Sequence, residues 1–202
     1  MSRYQHTYQQ SIEHPETFWA EQAKRIPWYT PPQTILSYDE QQHARWFSDG
    51  EMNLCYAALD YHVENGRGDQ AAIFWDSPAA QAKLTISYRD MRDKVAYFAG
   101  ALTQLGVEKG DRVVIYMPMI PEALVAMYAC ARLGAIHSVV FGGFAPHELA
   151  ARIEDAEPKV VVAASCGIEL GKVLPYKPMV DQAIALSAHK PDACVVYQRE
   201  AH

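Results

Sequence analysis

Four short runs rich in Val and Ile punctuate the second half of the chain: Val113 to Tyr116, Ile136 to Phe141, Val160 to Ala164 and Ala193 to Tyr197. Each is too short for a stable helix and lies between polar or turn-forming residues, as buried strands do. The segments between them have helical period. Glu122 to Leu133 is apolar nearly all round, which predicts a deeply packed helix, with Pro121 at its first position and Gly134 as its stop. Pro146 to Glu157 sets Leu149, Ile153 and Ala156 on one face, and Pro178 to Ala188 reads as a further helix. Strands alternating with helices predict right-handed crossovers and a mostly parallel sheet flanked by helices.

Upstream the pattern changes. Ala71 to Asp76 and Leu84 to Ser87 read as two strands of a hairpin. Ser87-x-x-Asp90 resembles a capping box and opens a helix that Gly106 ends. Asn53 to Val63 is a predicted helix capped by Asn53 and stopped by Asn65-Gly66. Residues 1–52 have weak periodicity, four prolines and many aromatics. They read as an irregular arm laying aromatics against a larger body, with a short helix from Glu16 to Ile26 behind Pro15. The expected division is an arm, 1–52, and an α/β domain, 53–202.

Charge narrows the partners. The net charge of −6 and pI near 5.7 argue against a nucleic-acid backbone but leave room for a small polyanion held by a few local cations. Cys55, Cys130, Cys166 and Cys194 show neither Cys-x-x-Cys nor metal-ligand spacing, so they read as reduced thiols. The N-terminus lacks an apolar signal core and no run is long enough for a membrane span. The expectation is a soluble, cytoplasmic protein.

Two segments are candidates for chemistry. Gly142-Gly143 follows the strand ending at Phe141, where open parallel sheets bind ligands. The pair would let backbone approach a ligand closely, or it would serve a tight turn needing positive φ. Glu169-Leu170-Gly171-Lys172 follows the next strand. Lys172 could set an ammonium against a phosphate, or the four residues could be a solvated surface loop. His137, within a strand, reads as a core or lining histidine. Asp111-Arg112 reads as structural, Cys130 as core packing, and Cys166 as a loop thiol with nothing nearby to activate it.

Taken together, Trp46 to Asn53, Cys55-Tyr56, Leu59-Asp60, Asp111 to Pro121, Arg132 to Phe144 and Tyr176-Lys177-Pro178 resemble the short-chain acyl-CoA synthetases among the adenylate-forming enzymes. The resemblance covers almost the whole chain in order and is strongest to the propionate-CoA ligase branch of the acetyl-CoA synthetase family. It implies two half-reactions. A short carboxylate attacks the α-phosphorus of ATP, with Mg²⁺, to give an acyl-adenylate and pyrophosphate. Coenzyme A thiol then displaces AMP.

The family's Ser/Thr/Gly-rich loop ending in Pro-Lys-Gly is absent between Met1 and His202, as are its hinge aspartate and adenylation lysine. The resemblance therefore implies an N-terminal piece that stops ahead of the phosphate loop and is inactive alone, with the remainder of the parent enzyme as partner. No catalytic or metal residue is expected in it. What carries over is the coenzyme A side: Gly142 and Gly143 along its path, and Glu169, Leu170, Gly171 and Lys172 as its four-residue loop. The acetate branch has arginine at both ends of that loop. Glu169 cannot pair with a phosphate, and the propionate-type branch also carries Glu there. Lys172 keeps the charge without the bidentate fork. The competing readings are a free-standing α/β module that binds a nucleotide or a partner chain, and a truncated product whose sheet ends on an unpaired strand near Ala193 to Tyr197.

Overall fold

The computed structural model describes residues 2–169 and 171–200. The chain forms two compact units, dividing between Ala57 and Ala58.

The first unit is more ordered than its weak periodicity suggests. Helix α1, Arg3–Glu13, begins with a reciprocal cap. Ser2 Oγ accepts from Gln5 N (3.2 Å), and Gln5 Oε1 accepts from Ser2 N (2.8 Å). Helix α2, Pro15–Ala23, starts on its proline. Strands β1, Leu36–Tyr38, and β2, Ala44–Trp46, form an antiparallel pair. Asp39 closes their turn by accepting from the amides of Gln41 and His43 at 3.1 and 2.8 Å. Those hydrogen bonds, that from His43 foremost, hold its carboxyl below the usual range. The aromatics pack on one another: Trp19 on Trp46, Trp46 on Phe47, and Phe47 on Trp28. Asn53 acts as the expected cap, its Oδ1 accepting from Tyr56 N at 3.1 Å.

In the second unit, a hairpin of β3, Ala71–Ser77, and β4, Ala82–Ser87, leads into helix α3, Tyr88–Gln104. Ser87 Oγ caps α3 by accepting from Asp90 N at 3.1 Å. Then follow β5 (Arg112–Met117), α4 (Pro121–Leu133), β6 (Ile136–Phe141), α5 (Pro146–Ala156) and β7 (Val160–Ala164). After them come the hairpin β8 (Cys166–Glu169) and β9 (Lys172–Pro175), helix α6 (Tyr176–Leu186) and β10 (Ala193–Tyr197).

Strands β10, β7, β5 and β6, in that order, form a four-stranded sheet, parallel throughout. Successive side chains of a strand face opposite sides. Val114, Tyr116, Val161 and Ala163 face α5 and α6, packing on Leu149, Ile153 and Val180 in a buried cluster. The alternate residues, Val113, Ile115, Val160 and Val162, are buried on the other side, with α3 and α4. Helix α3 turns Met91, Val95, Ala99 and Leu102 inward and packs along α4. Helix α4 ends on Gly134 at φ +72°, a left-handed cap that glycine adopts without strain. Arg132 near that end pairs with Asp60 at 2.6 Å.

Three expectations shift. Glu169 and Lys172 are paired ends of two short antiparallel strands, because Cys166 to Glu169 and Lys172 to Pro175 pair in register. His137 is not a core residue: β6 is an edge strand, and the histidine is exposed on it. Asp111 and Arg112 are structural but serve different partners. Asp111 caps the preceding turn at Glu108 N and meets Lys159 at 3.3 Å, while Arg112 donates to the carbonyls of Ala156 and Glu157. No helix among the described residues is long and apolar enough to cross a membrane.

Candidate functional site

From β5 the chain moves outward to β6, then returns across β5 to β7. Connections from β5 and β7 therefore leave on opposite faces, opening a crevice at their carboxyl ends where open α/β sheets bind ligands. A cleft of about 270 Å³ lies at the carboxyl ends of β5 and β6, lined by Met117, the last residue of β5, and Pro118, by Phe141, the last residue of β6, and Gly142, and by Ile168 of β8, Tyr176 of α6 and Arg199 beyond β10. The Arg199 guanidinium donates to Cys166 O at 3.1 Å, and its amide donates to Ser165 Oγ at 3.0 Å. Trp75 Nε1 donates to Met119 O at 2.9 Å, tying the β3–β4 hairpin to the β5–α4 turn.

The paired glycines are shaped by two buried tyrosines. A Cβ on Gly142 would stand 2.7 Å from Tyr176 Cε2 and 2.9 Å from the Met117 carbonyl carbon, closer than real Cβ contacts come. Gly143 has φ +102° and donates its N–H to Tyr116 Oη at 3.0 Å. The same hydroxyl donates to Phe144 O at 2.9 Å. The amide of Gly143 is thereby used inside the protein, and Gly142 is the member of the pair that lines the cleft. Gly167 closes the other side of Tyr176, whose phenol a Cβ there would strike. The Tyr176 ring also packs on Tyr116 at 5.0 Å between centroids.

Gly171 takes φ +77° with open space where a side chain would go. Lys172 is exposed, opens β9 and pairs with none of the described carboxylates; it does not line the cleft. Leu170 and the side chain of Glu169 lie outside the described residues. Of the candidates, then, Gly142 reaches the cleft, while Gly171 and Lys172 sit on the neighbouring hairpin.

Cys166 is buried within β8 rather than placed in a loop, and burial pushes the Cys130 thiol up to about 12. That environment does not favour a thiolate at Cys130. Among the described residues, no three His, Cys, Asp or Glu side chains come together as a metal site would require.

Tyr116, Gly167, Tyr176 and Arg199 were not assigned to the site from sequence. The signal for Tyr116 was a lone phenol in an otherwise aliphatic strand, since a buried Tyr hydroxyl needs a partner.

Two family models tile this architecture. The acetyl-coenzyme A synthetase N-terminus matches residues 4–58, and the AMP-binding enzyme model matches residues 60–201. The chain belongs to the AMP-binding enzyme family. It is 48% identical over 198 residues to the human mitochondrial acyl-CoA synthetase short-chain family member 3, covering 98% of this chain and 29% of that protein. It is 46% identical over 192 residues to the propionate–CoA ligase of Escherichia coli strain K12, covering 95% of this chain and 30% of the ligase. It is 47% identical over 203 residues to the acetyl-coenzyme A synthetase of Yersinia pestis (strain Pestoides F), covering 98% and 31%. The chain thus spans about 30% of the length of these curated relatives.

Proposed function

We propose that this chain is the N-terminal part of an ATP-dependent short-chain acyl-CoA synthetase, working in the cytoplasm. It would contribute the coenzyme A side of the site to a ligase that makes acyl-CoA, AMP and diphosphate from a short carboxylate, ATP and coenzyme A. The observation that carries the reading is the tiling of the chain by an acetyl-CoA synthetase N-terminus followed by an AMP-binding region. The cleft at the carboxyl ends of β5 and β6 supports it, because open α/β sheets bind ligands at strand carboxyl ends and Gly142 and Arg199 line it. In this reading residues 1–52 are the arm of such enzymes, and 53–202 open the adenylation domain.

Gly142 and Gly143 would shape the wall of the coenzyme A path, and Glu169, Leu170, Gly171 and Lys172 would form its loop. Lys172 is the member able to meet a phosphate, since its ammonium is exposed and unclaimed by the described carboxylates. Among the described residues no cluster of three His, Cys, Asp or Glu side chains could hold Mg²⁺. The similar identities to a propionate–CoA ligase and an acetyl-coenzyme A synthetase, 46% and 47%, favour neither acid.

The test is ATP–pyrophosphate exchange with propionate and with acetate. It is run on the 202-residue chain and on the same chain continued by its own reading frame. Exchange by the longer protein alone is expected; exchange by the 202-residue chain would overturn its assignment as a part. Calorimetric titration with coenzyme A checks the loop. Lys172→Ala is expected to weaken binding several-fold, and unchanged affinity would remove Lys172 from the site.

A further inference from the structure

The β8–β9 pair stands on a root tied by backbone. Ser165, buried between β7 and β8, accepts at its carbonyl from Tyr176 N at 2.8 Å, which closes the base of the pair. Its amide donates to Tyr197 O at 2.9 Å, and its Oγ accepts from Arg199 N at 3.0 Å. The Arg199 guanidinium holds Cys166 O, the first carbonyl of β8. These bonds fix where the pair begins; its tilt needs a contact to one side.

The Tyr176 side chain supplies that contact. It opens α6 directly behind β9 and is only 1% exposed. Two glycines from different elements press on opposite edges of its ring. Gly142, after β6, faces the Cε2 edge, and Gly167, within β8, faces the Cε1 edge. A methyl on Gly142 would come within 2.7 Å of Cε2, and one on Gly167 would strike the hydroxyl. In a close-packed interior such a spacing can neither close nor widen freely. The Gly142–Gly143 turn is itself fixed, because Tyr116 Oη accepts from Gly143 N. The ring therefore passes the position of that turn on to β8.

We infer that Tyr176 is a positioning residue for coenzyme A: its ring, wedged between Gly142 and Gly167, sets the tilt of the β8–β9 pair and so aims Lys172 at a phosphate. This rests on the proposed function and adds what holds its cation in place. Lys172 opens β9, which is four residues long. At about 3.3 Å per residue, roughly 13 Å separates it from the wedge. A small rotation at the root thus displaces Lys172 by more than the ~0.5 Å within which a binding group must be held.

Calorimetric titration of coenzyme A into the chain continued by its own reading frame tests it, with ATP–pyrophosphate exchange read alongside. Tyr176→Leu removes the ring edges and should weaken coenzyme A several-fold, as much as Lys172→Ala does. The double variant should bind no more weakly than Lys172→Ala alone, because a misaimed cation has nothing further to lose. Tyr176→Phe keeps the ring and should recover the parental affinity. Gly167→Ala overfills the same contact and should also weaken binding through Lys172, which keeps the test open if the leucine variant fails to fold. Exchange precedes coenzyme A in the reaction, so it should fall less than coenzyme A affinity does. Additive losses in the double variant would overturn the inference, since Tyr176 would then act apart from Lys172. So would Tyr176→Phe binding as weakly as Tyr176→Leu, or exchange falling in step with coenzyme A affinity. A continued protein that exchanges no pyrophosphate yet shows this pattern keeps the inference and loses the ligase reading. One that exchanges, with coenzyme A affinity unmoved by Tyr176→Leu and Gly167→Ala, keeps the ligase reading and loses the inference. A parent that binds no coenzyme A overturns both.

Discussion

The Gly142–Gly143 turn after β6 and the Gly171 turn between β8 and β9 carry the same residue under opposite constraints. At the first, space is the limit: Gly142 abuts the Tyr176 ring, and the Gly143 amide is held by the Tyr116 hydroxyl. At the second only conformation matters, since Gly171 has φ +77° and nothing within 4 Å of a Cβ. The first turn is a rigid wall set by the core. At the second, a side chain on Gly171 would meet open space. A glycine read from sequence as permitting close approach can thus be permitting the approach of the protein's own tyrosine.

Substitutions sharpen this contrast. Gly142→Ala should act most, because its methyl would meet both a fixed ring and a backbone carbonyl. Overpacking of this kind costs about 1–3 kcal/mol, which lowers the melting temperature by roughly 2–12 °C in a chain of this size. A melting temperature within 1 °C of the parent would mean that Tyr176 is free to move aside. Tyr116→Phe comes next. It removes one hydroxyl serving Gly143 and Phe144 and strands both groups, at about 1–3 kcal/mol by denaturant titration. Gly171→Ala should cost about 1 kcal/mol from left-handed strain alone. A loss equal to that of Gly142→Ala would erase the distinction between the turns. Lys172→Ala should leave stability within about 0.5 kcal/mol, because the exposed side chain has no described ion-pair partner. Under the proposed function its effect is on coenzyme A binding instead.

The parallel sheet was legible because its strands are short Val-rich runs closed off by turn residues. The spans Ile136–Phe141, Val160–Ala164 and Ala193–Tyr197 coincide with β6, β7 and β10. Helix α1 was not read, since none of its residues is buried and its apolar positions are two tyrosines and an exposed Ile12 among polar residues. Its one clear mark was the Ser2/Gln5 capping box. Helix α6 begins two residues before the expected Pro178, which sits third in the helix. The first four amides of a helix need no internal partner, so proline is tolerated there. The β8–β9 hairpin escaped because Gly167 interrupts one strand and Pro175 ends the other. In the site, the link from Tyr116 to Gly143 and Phe144 joins residues 27 and 28 positions apart, beyond the reach of local pattern.

The strand order has a consequence for how the protein is made. β5 lies between β6 and β7, so its pairing is incomplete until β7 has been synthesised, and Met117 and Ala164 are 47 positions apart. At roughly 5–20 residues per second the ribosome needs about 2–10 s to cover that distance. For that interval Val113–Met117, among the most apolar stretches of the chain, leaves the ribosome without its second neighbour. Nascent chains arrested before β7 emerges should therefore be cut by protease around β5 and captured by chaperones, and those carrying β7 should resist both.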